Sequence, residues 1–397
     1  MRIAIVAEYY PRAADPVLGV WAHRQALAAR EAGADVRVLV LHRPLPPLAA
    51  LRSRDLAAAR AALRQPRRTT LDGIPVTYVP YLSPPRPWSY GAWGAWAAPR
   101  LRRALRTLHA AWPFELVHAH YAVPAGDAVR RAHPDVPLVV SVHGGDVLAT
   151  AQRSAYGRRV VERTFAHATL VLANSAGIEA RCRALGARKT SVVHLGTDVP
   201  HAIPERTDRR PTLVTVGHLV ARKRHADVIE ALARLTSAHP GLRYVIVGDG
   251  PERTRLVALA AECGVGDRVE LTGQLPPAEA RARAAEADLF VLPSTDEAFG
   301  VAYVEAMAAG VPAIGCAGED GPDEITAQGP GLVQVPPCDP AALADKIDRL
   351  LTDDAARATL AAAARSTAER SFTWKACGER TVAAYEQVLR FPRADGG

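Results

Sequence analysis

Two glutamates, Glu297 and Glu305, stand either side of Phe299-Gly300-Val301 in the stretch Val291-Leu-Pro-Ser-Thr-Asp-Glu-Ala-Phe-Gly-Val-Ala-Tyr-Val-Glu-Ala-Met-Ala-Ala-Gly310. A strand is predicted to end near Pro293, a loop to run to Gly300, and a helix to run from about Val301 to a stop at Gly310. On that helix Val301, Val304 and Ala308 mark the apolar face by their i, i+3, i+7 spacing, and Glu305 falls on the same face. A carboxylate there is costly unless partnered. Glu297 sits in the loop above the helix N-terminus, where the helix dipole by itself would favour a negative charge. Between the two, backbone N–H groups at a glycine-opened helix start form an anion site.

A second group is Gly217-His218-Leu-Val-Ala-Arg222-Lys223-Arg224-His225. A strand ends in glycine, and three consecutive cations precede a helix near Ala226. Positive charge at a helix N-terminus is unfavourable by itself. A bound polyanion such as a diphosphate would relieve it; solvated cations on a loop are the competing explanation. A third, Val247-Gly248-Asp249-Gly250-Pro-Glu-Arg253, opens like a dinucleotide-binding turn, but Arg253 stands where that fingerprint needs glycine or alanine. No Walker-type loop is present. Gly19 follows the first strand, while His118-Ala-His120-Tyr121 and His143-Gly-Gly-Asp146 each close a strand, where ligands of open α/β sheets bind. A packed core position is the alternative for either histidine group, and no D-x-D or H-E-x-x-H motif accompanies them.

These residues need a scaffold that presents strand ends. Apolar runs near 2–10, 36–43, 74–80, 116–121, 137–144, 170–175 and 191–196, then near 212–217, 243–249, 269–273, 289–293, 312–316 and 331–336, alternate with Ala/Leu/Arg segments of helical period. Continuously apolar strands separated by helices indicate parallel sheets buried on both faces. The expected fold class is therefore α/β, two doubly wound Rossmann-like domains whose facing carboxyl ends create a cleft. The polar, proline-rich stretch Thr197–Pro211 is the linker candidate.

A chain of 397 residues, 49% hydrophobic and 23% charged, has room for two or three domains at roughly 100–200 residues each. It has neither the composition of a disordered chain nor an uninterrupted run of about 18 apolar residues. The first strand is too short for a signal peptide and carries Glu8, which leads us to expect a cytoplasmic protein. Five scattered cysteines without a C-x-x-C spacing argue against a zinc site or disulfide scaffold. Net charge is +8, but residues 1–200 hold 27 Lys/Arg against 13 Asp/Glu, and the remainder 22 against 28.

The motifs coincide with a family. The chain resembles the retaining, nucleotide-sugar-dependent glycosyltransferases of family 4, of GT-B architecture. E-x7-E is present as Glu297 to Glu305, and the likeness extends through VGHLVARK, VGDGPE, ELTGQLP and GPDEI, with HAHYA, SVHGGD and LANS in the first half and SFTW near the end. The resemblance implies an acceptor-binding domain over 1–197, a donor-binding domain over 198–374 and a final helix within 375–397 crossing back to the first domain. It further implies that Glu305 binds ribose hydroxyls, Glu297 the transferred sugar, and the N–H groups of Phe299, Gly300 and Val301 the diphosphate. Lys223 would neutralise that diphosphate, with Gly217, His218, Arg222 and Gly248 around it and Gly19 approaching from the opposite domain. Gly273 and Gln274 would face the base, and His143 would contact the sugar from the acceptor side. His143, Lys223 and Glu297 are the implied catalytic residues. The family usually has arginine at His218, for which Arg222 or Arg224 would compensate.

No cofactor or metal is expected beyond the nucleotide-diphosphate sugar, with UDP favoured over GDP. The acceptor is expected to be a glycan, a lipid-linked sugar or a small molecule. Residues 41–110 hold twelve arginines and two acidic residues, with Trp88, Tyr90, Trp93 and Trp96 among them. That composition suits peripheral docking on an anionic membrane, and no nucleic acid is expected. The alternatives are a sugar-nucleotide epimerase on a similar fold and a catalytically silent anion- or membrane-binding module.

Overall fold

The computed structural model describes residues 1–45, 64–202 and 210–390. The middle of the linker candidate, part of the basic stretch 41–110, the side chain of Trp88 and the tail after Arg390 lie outside the described residues. The chain divides into two units, Met1–Leu195 with Trp374–Gly397, and Gly196–Thr373.

In the first unit, β1 (Arg2–Ala7), β2 (Asp35–His42), β3 (Arg68–Leu71), β4 (Ile74–Pro80), β5 (Leu116–His120), β6 (Leu138–Val142), β7 (Leu170–Ala173) and β8 (Thr190–Val192) form one sheet. Its order is β3-β4-β2-β1-β5-β6-β7-β8. All neighbours are parallel except β3 and β4. The second unit orders β9 (Thr212–Val216), β10 (Arg243–Val247), β11 (Val269–Gly273), β12 (Leu289–Val291), β13 (Ala313–Cys316) and β14 (Leu332–Val335) as β11-β10-β9-β12-β13-β14, parallel throughout. Ile3, Ala4, Ile5 and Val6 of β1 are all buried, as expected for a central strand covered on both faces. Strand order reverses between β1 and β5 and between β9 and β12, and a crevice opens at such a switch point beyond the strand ends.

Five helices matter below: α1 (Val20–Glu31), α2 (Trp93–Ala111), α3 (His225–Leu235), α4 (Val301–Ala308) and α5 (Trp374–Arg390). Although last in sequence, α5 belongs to the first unit. Its Cys377, Tyr385 and Val388 enter that unit's hydrophobic core. Gly378 lets α5 approach α1, since a Cβ there would lie 2.2 Å from the Ala28 carbonyl oxygen. Gln25 donates to the Thr381 hydroxyl at 3.1 Å.

The aromatic residues of the basic stretch do not all face outward. Trp93 is buried, its ring 6.2 Å from that of Tyr81, and the Tyr90 hydroxyl donates to Glu8 at 2.8 Å. Trp96 is 53% exposed and shares α2 with exposed Arg100, Arg102, Arg103 and Arg106.

Candidate active site

In the second unit the loops after β9 and β12 bring cations and a carboxylate together at the switch point. Lys223, in a short 3-10 turn (Ala221–Lys223), donates through Nζ to Glu297 Oε2 at 2.5 Å. Arg222 reaches the same oxygen at 3.7 Å, and the Ser294 hydroxyl donates to it at 2.8 Å. The two loops are also stitched by the Thr295 N–H to the Arg222 carbonyl, 2.8 Å. Burial pushes the Glu297 carboxyl up, but Lys223, Arg222 and Ser294 outweigh it and hold the group below its ordinary value. Glu297 N–H in turn donates to Glu319 Oε2 at 3.0 Å.

Gly300 opens α4 with φ +81, and a Cβ there would meet the Tyr303 ring at 2.4 Å. Gly300 brings no capping side chain of its own and no acidic residue occupies the first turn, so the helix does not itself offset the positive end of its dipole. Phe299 is buried, its ring 5.6 Å from that of Phe372. Val301 is partly exposed. The buried face of α4 consists of Tyr303, Val304 and Ala306–Ala308, so Glu305 lies beside that face rather than on it. Its side chain is 27% exposed and sits 3.7 Å from Arg281.

Three glycines meet where β9, β10 and β11 end. The Gly217 N–H donates to the Val247 carbonyl at 2.9 Å and the Gly248 N–H to the Gly273 carbonyl at 2.9 Å. A Cβ on Gly248 would fall 2.0 Å from the Gly217 carbonyl oxygen, so only glycine fits. Gly273 has φ +78 and open space around its Cα, and Gln274 is exposed. His218 is exposed too. Arg224 is clamped by Asp227 through two hydrogen bonds of 2.9 and 2.7 Å, which leaves Arg222 as the flanking arginine beside Glu297. The clustered cations are thus partnered by Asp227 and Glu297 within the protein itself.

In the first unit His143, just after β6, stacks on His120 with parallel rings 5.3 Å apart, and their nitrogens approach to 3.0 Å. Burial lowers His143 to about 3, so its imidazole is neutral at pH 7. His118 is a core histidine, held between the Tyr385 and Ser141 hydroxyls at 2.7 Å each. Gly19 precedes α1 at φ +66, where a Cβ would strike the Tyr9 backbone at 2.2 Å. Among the described residues no three His, Cys, Asp or Glu side chains converge as metal ligands, and no helix is long and apolar enough to cross a membrane.

Sequence reasoning passed over Ser294, Arg281 and Glu319 as partners of the two glutamates. It also passed over Tyr9 and Arg86 around the β1/β5 switch point, and gave Glu8 no role there. The Glu8-Tyr9-Tyr10 run directly after β1 was the available signal, since that is where a doubly wound sheet presents its ligands.

Two family models cover nearly the whole chain: "Glycosyl transferase 4-like domain" matches residues 18–196 and "Glycosyl transferases group 1" matches 199–367. The chain belongs to the family-4 type of glycosyltransferases and has the two-domain GT-B fold. It is 28% identical to glycogen synthase of Mycobacterium tuberculosis over 416 aligned positions, spanning 99% of this chain and 96% of that protein. An exopolysaccharide phosphotransferase of Streptomyces coelicolor is 41% identical over 163 residues, 40% of this chain, and the match spans only 17% of that longer protein. Sucrose-phosphate synthase from Thermosynechococcus elongatus superposes with a TM-score of 0.79 at 22% identity, covering 98% of this chain and 99% of that one. HepE from Anabaena, solved with UDP and glucose, gives 0.73 at 21%, covering 98% and 100%.

Proposed function

We propose that the chain is a retaining transferase that moves a hexosyl-type sugar from a nucleoside-diphosphate sugar to a hydroxyl of a glycan, lipid-linked or small-molecule acceptor. The observation that carries this reading is the Lys223–Glu297 pair, 2.5 Å apart, beside a glycine-opened helix start with no acidic residue in its first turn. Cleaving a sugar–diphosphate bond leaves negative charge on the departing phosphate. Lys223, Arg222 and the N–H groups of Phe299, Gly300 and Val301 supply preorganised positive potential for it. Glu297 holds Lys223 in place and accepts hydroxyls of the transferred sugar. Glu305 binds the ribose, Gly217 and Gly248 give the diphosphate close access to backbone, and Gly273 and Gln274 flank the base.

The step is a front-face displacement. The acceptor oxygen bonds to the anomeric carbon on the side from which the phosphate oxygen leaves, and the acceptor proton passes to that phosphate oxygen. Neutral His143 offers a hydrogen bond to the sugar, and Gly19 leaves room for the donor. A uridine donor is favoured because HepE, of the same fold, was solved with UDP. The protein works in the cytoplasm, and the Trp96-bearing basic face of α2 is its means of touching an anionic membrane.

The test is titration calorimetry with UDP, GDP, ADP and dTDP, with and without magnesium, followed by NMR of the product anomer. One nucleotide should bind without metal, and Lys223→Ala should abolish it. Product of inverted configuration, or a trapped glycosyl–enzyme, would rule out the mechanism, while an absolute lack of nucleotide binding would favour the silent module.

A further inference from the structure

The first unit holds a cavity of about 450 Å³ distinct from the residues discussed for the donor. Tyr9, Tyr90 and Tyr121 supply aromatic wall, and Arg86 and Arg153 line it with no carboxylate among the lining residues. The Tyr9 and Tyr121 rings lie 5.1 Å apart, and Tyr121 is 5.2 Å from His143, so the cavity adjoins the histidine assigned above to the sugar. Glycines keep it open: a Cβ on Gly145 would press to 3.2 Å from the Tyr121 ring, and one on Gly157 to 2.5 Å from the Thr150 carbonyl oxygen.

The cations differ in how they are held. Arg86 stacks 4.1 Å from the Tyr90 centroid and 5.2 Å from that of Tyr9, and donates to the Tyr9 hydroxyl. Its nearest carboxylate is buried Glu8, 3.8 Å away. Burial raises the Glu8 carboxyl, against the pull of Arg86 and Tyr90, and Glu8 itself is not among the residues that line the cavity. Arg153 is exposed and makes no ion pair among the described residues. A planar guanidinium pre-oriented on aromatic rings, with a second one lining the same cavity, matches an anion of carboxylate or phosphate type. The tyrosine faces match the apolar side of a sugar ring.

We propose that this cavity seats an acceptor sugar bearing a negative charge, its ring against Tyr9 and Tyr121 and its phosphate or carboxylate between Arg86 and Arg153. The assignment deepens the glycosyltransferase reading and rests on it. Glucose 6-phosphate, glucuronic acid, glucose and inorganic phosphate are titrated into the protein, with and without saturating UDP, and into Arg86→Gln and Arg153→Gln. The charged sugars should bind at least about tenfold tighter than glucose, and each variant should lose about tenfold while keeping its affinity for UDP. Competition by inorganic phosphate identifies a phosphate-bearing acceptor; glucuronate binding without that competition identifies a carboxylate. Equal binding of glucose and its charged counterparts, or charged sugars insensitive to both substitutions, overturns the proposal. If UDP binds and no sugar does, this proposal falls and the donor site stands; if the charged sugars bind and no nucleotide does, the donor reading alone falls.

Discussion

Removing the Lys223 ammonium should separate two roles that one residue performs. Lys223 and Glu297 are both largely enclosed, with side chains 12% and 8% exposed. Lys223→Ala would leave Glu297 enclosed with only Arg222 at 3.7 Å and the Ser294 hydroxyl. Breaking one side of an enclosed pair costs roughly 3–5 kcal/mol, and the residual partners place this case near 3. For a unit of this size that is about 6–12 °C in the melting temperature of the second unit. Turnover should fall by about 10²–10³, the usual cost of one donor facing a developing anion. The double variant Lys223→Ala/Glu297→Gln leaves no orphaned charge, so it should recover most of the stability and none of the turnover. Because the Glu297 carboxyl is held below its unfolded value, its contribution is present above that value and lost as pH falls through the folded one. The single variant should therefore show a smaller stability loss in acid than at pH 7. Calorimetric melting of the three proteins, with initial rates of sugar transfer, measures all of this; transfer restored by the double variant, or lost less than about tenfold in the single one, would refute the reasoning.

Glu305→Gln should leave the melting temperature nearly unchanged, because its half-open ion pair with Arg281 is worth at most about 1 kcal/mol, yet weaken nucleotide binding in calorimetry. Gly300→Ala forces a side chain into φ +81 against Tyr303; a loss of about 1–3 kcal/mol in denaturant unfolding is expected, with weaker nucleotide binding. Gly378→Ala drives a methyl into the Ala28 carbonyl, so hydrogen exchange should show α5 loosened from α1 while nucleotide affinity persists. His118 is fully buried and lowered to about 3 by burial. Its unfolded form takes up a proton below about 6.5, so stability should fall as pH drops from about 6.5 towards 3, by up to about 1.4 kcal/mol per unit. His118→Gln should flatten that slope by one proton.

The thirteen runs read as strands all appear, because central parallel strands must be apolar on both faces and that leaves an unmistakable continuous signal. β3 was not legible that way, since Arg68-Thr-Thr-Leu71 is an antiparallel edge strand with one partner and little to bury. The sign that could have found it is Asp72-Gly73, whose φ values of 45 and 79 make the two-residue turn that such pairs favour in hairpins. The glutamate pair and the cations were legible as residues, but their pairing was not. Nothing in spacing says that Lys223 meets Glu297 while Arg224 turns to Asp227, because partner choice depends on which loop crosses the switch point.

Charge by halves proved a coarse guide for the same reason. The second half of the sequence is net acidic, yet Lys223 and Arg222 gather beside the glycine-opened start of α4, and Glu297, the carboxylate that pairs with both, stands on the loop after β12. The first half is strongly basic, but two of its arginines with chemistry to offer, Arg86 and Arg153, owe their significance to the tyrosines and glycines around the cavity they line. An anion is recognised by where cations are held and what surrounds them, and in a doubly wound sheet the topology decides that: every residue invoked here after β1, β5, β9 or β12 reaches its site because those strands flank a reversal of strand order.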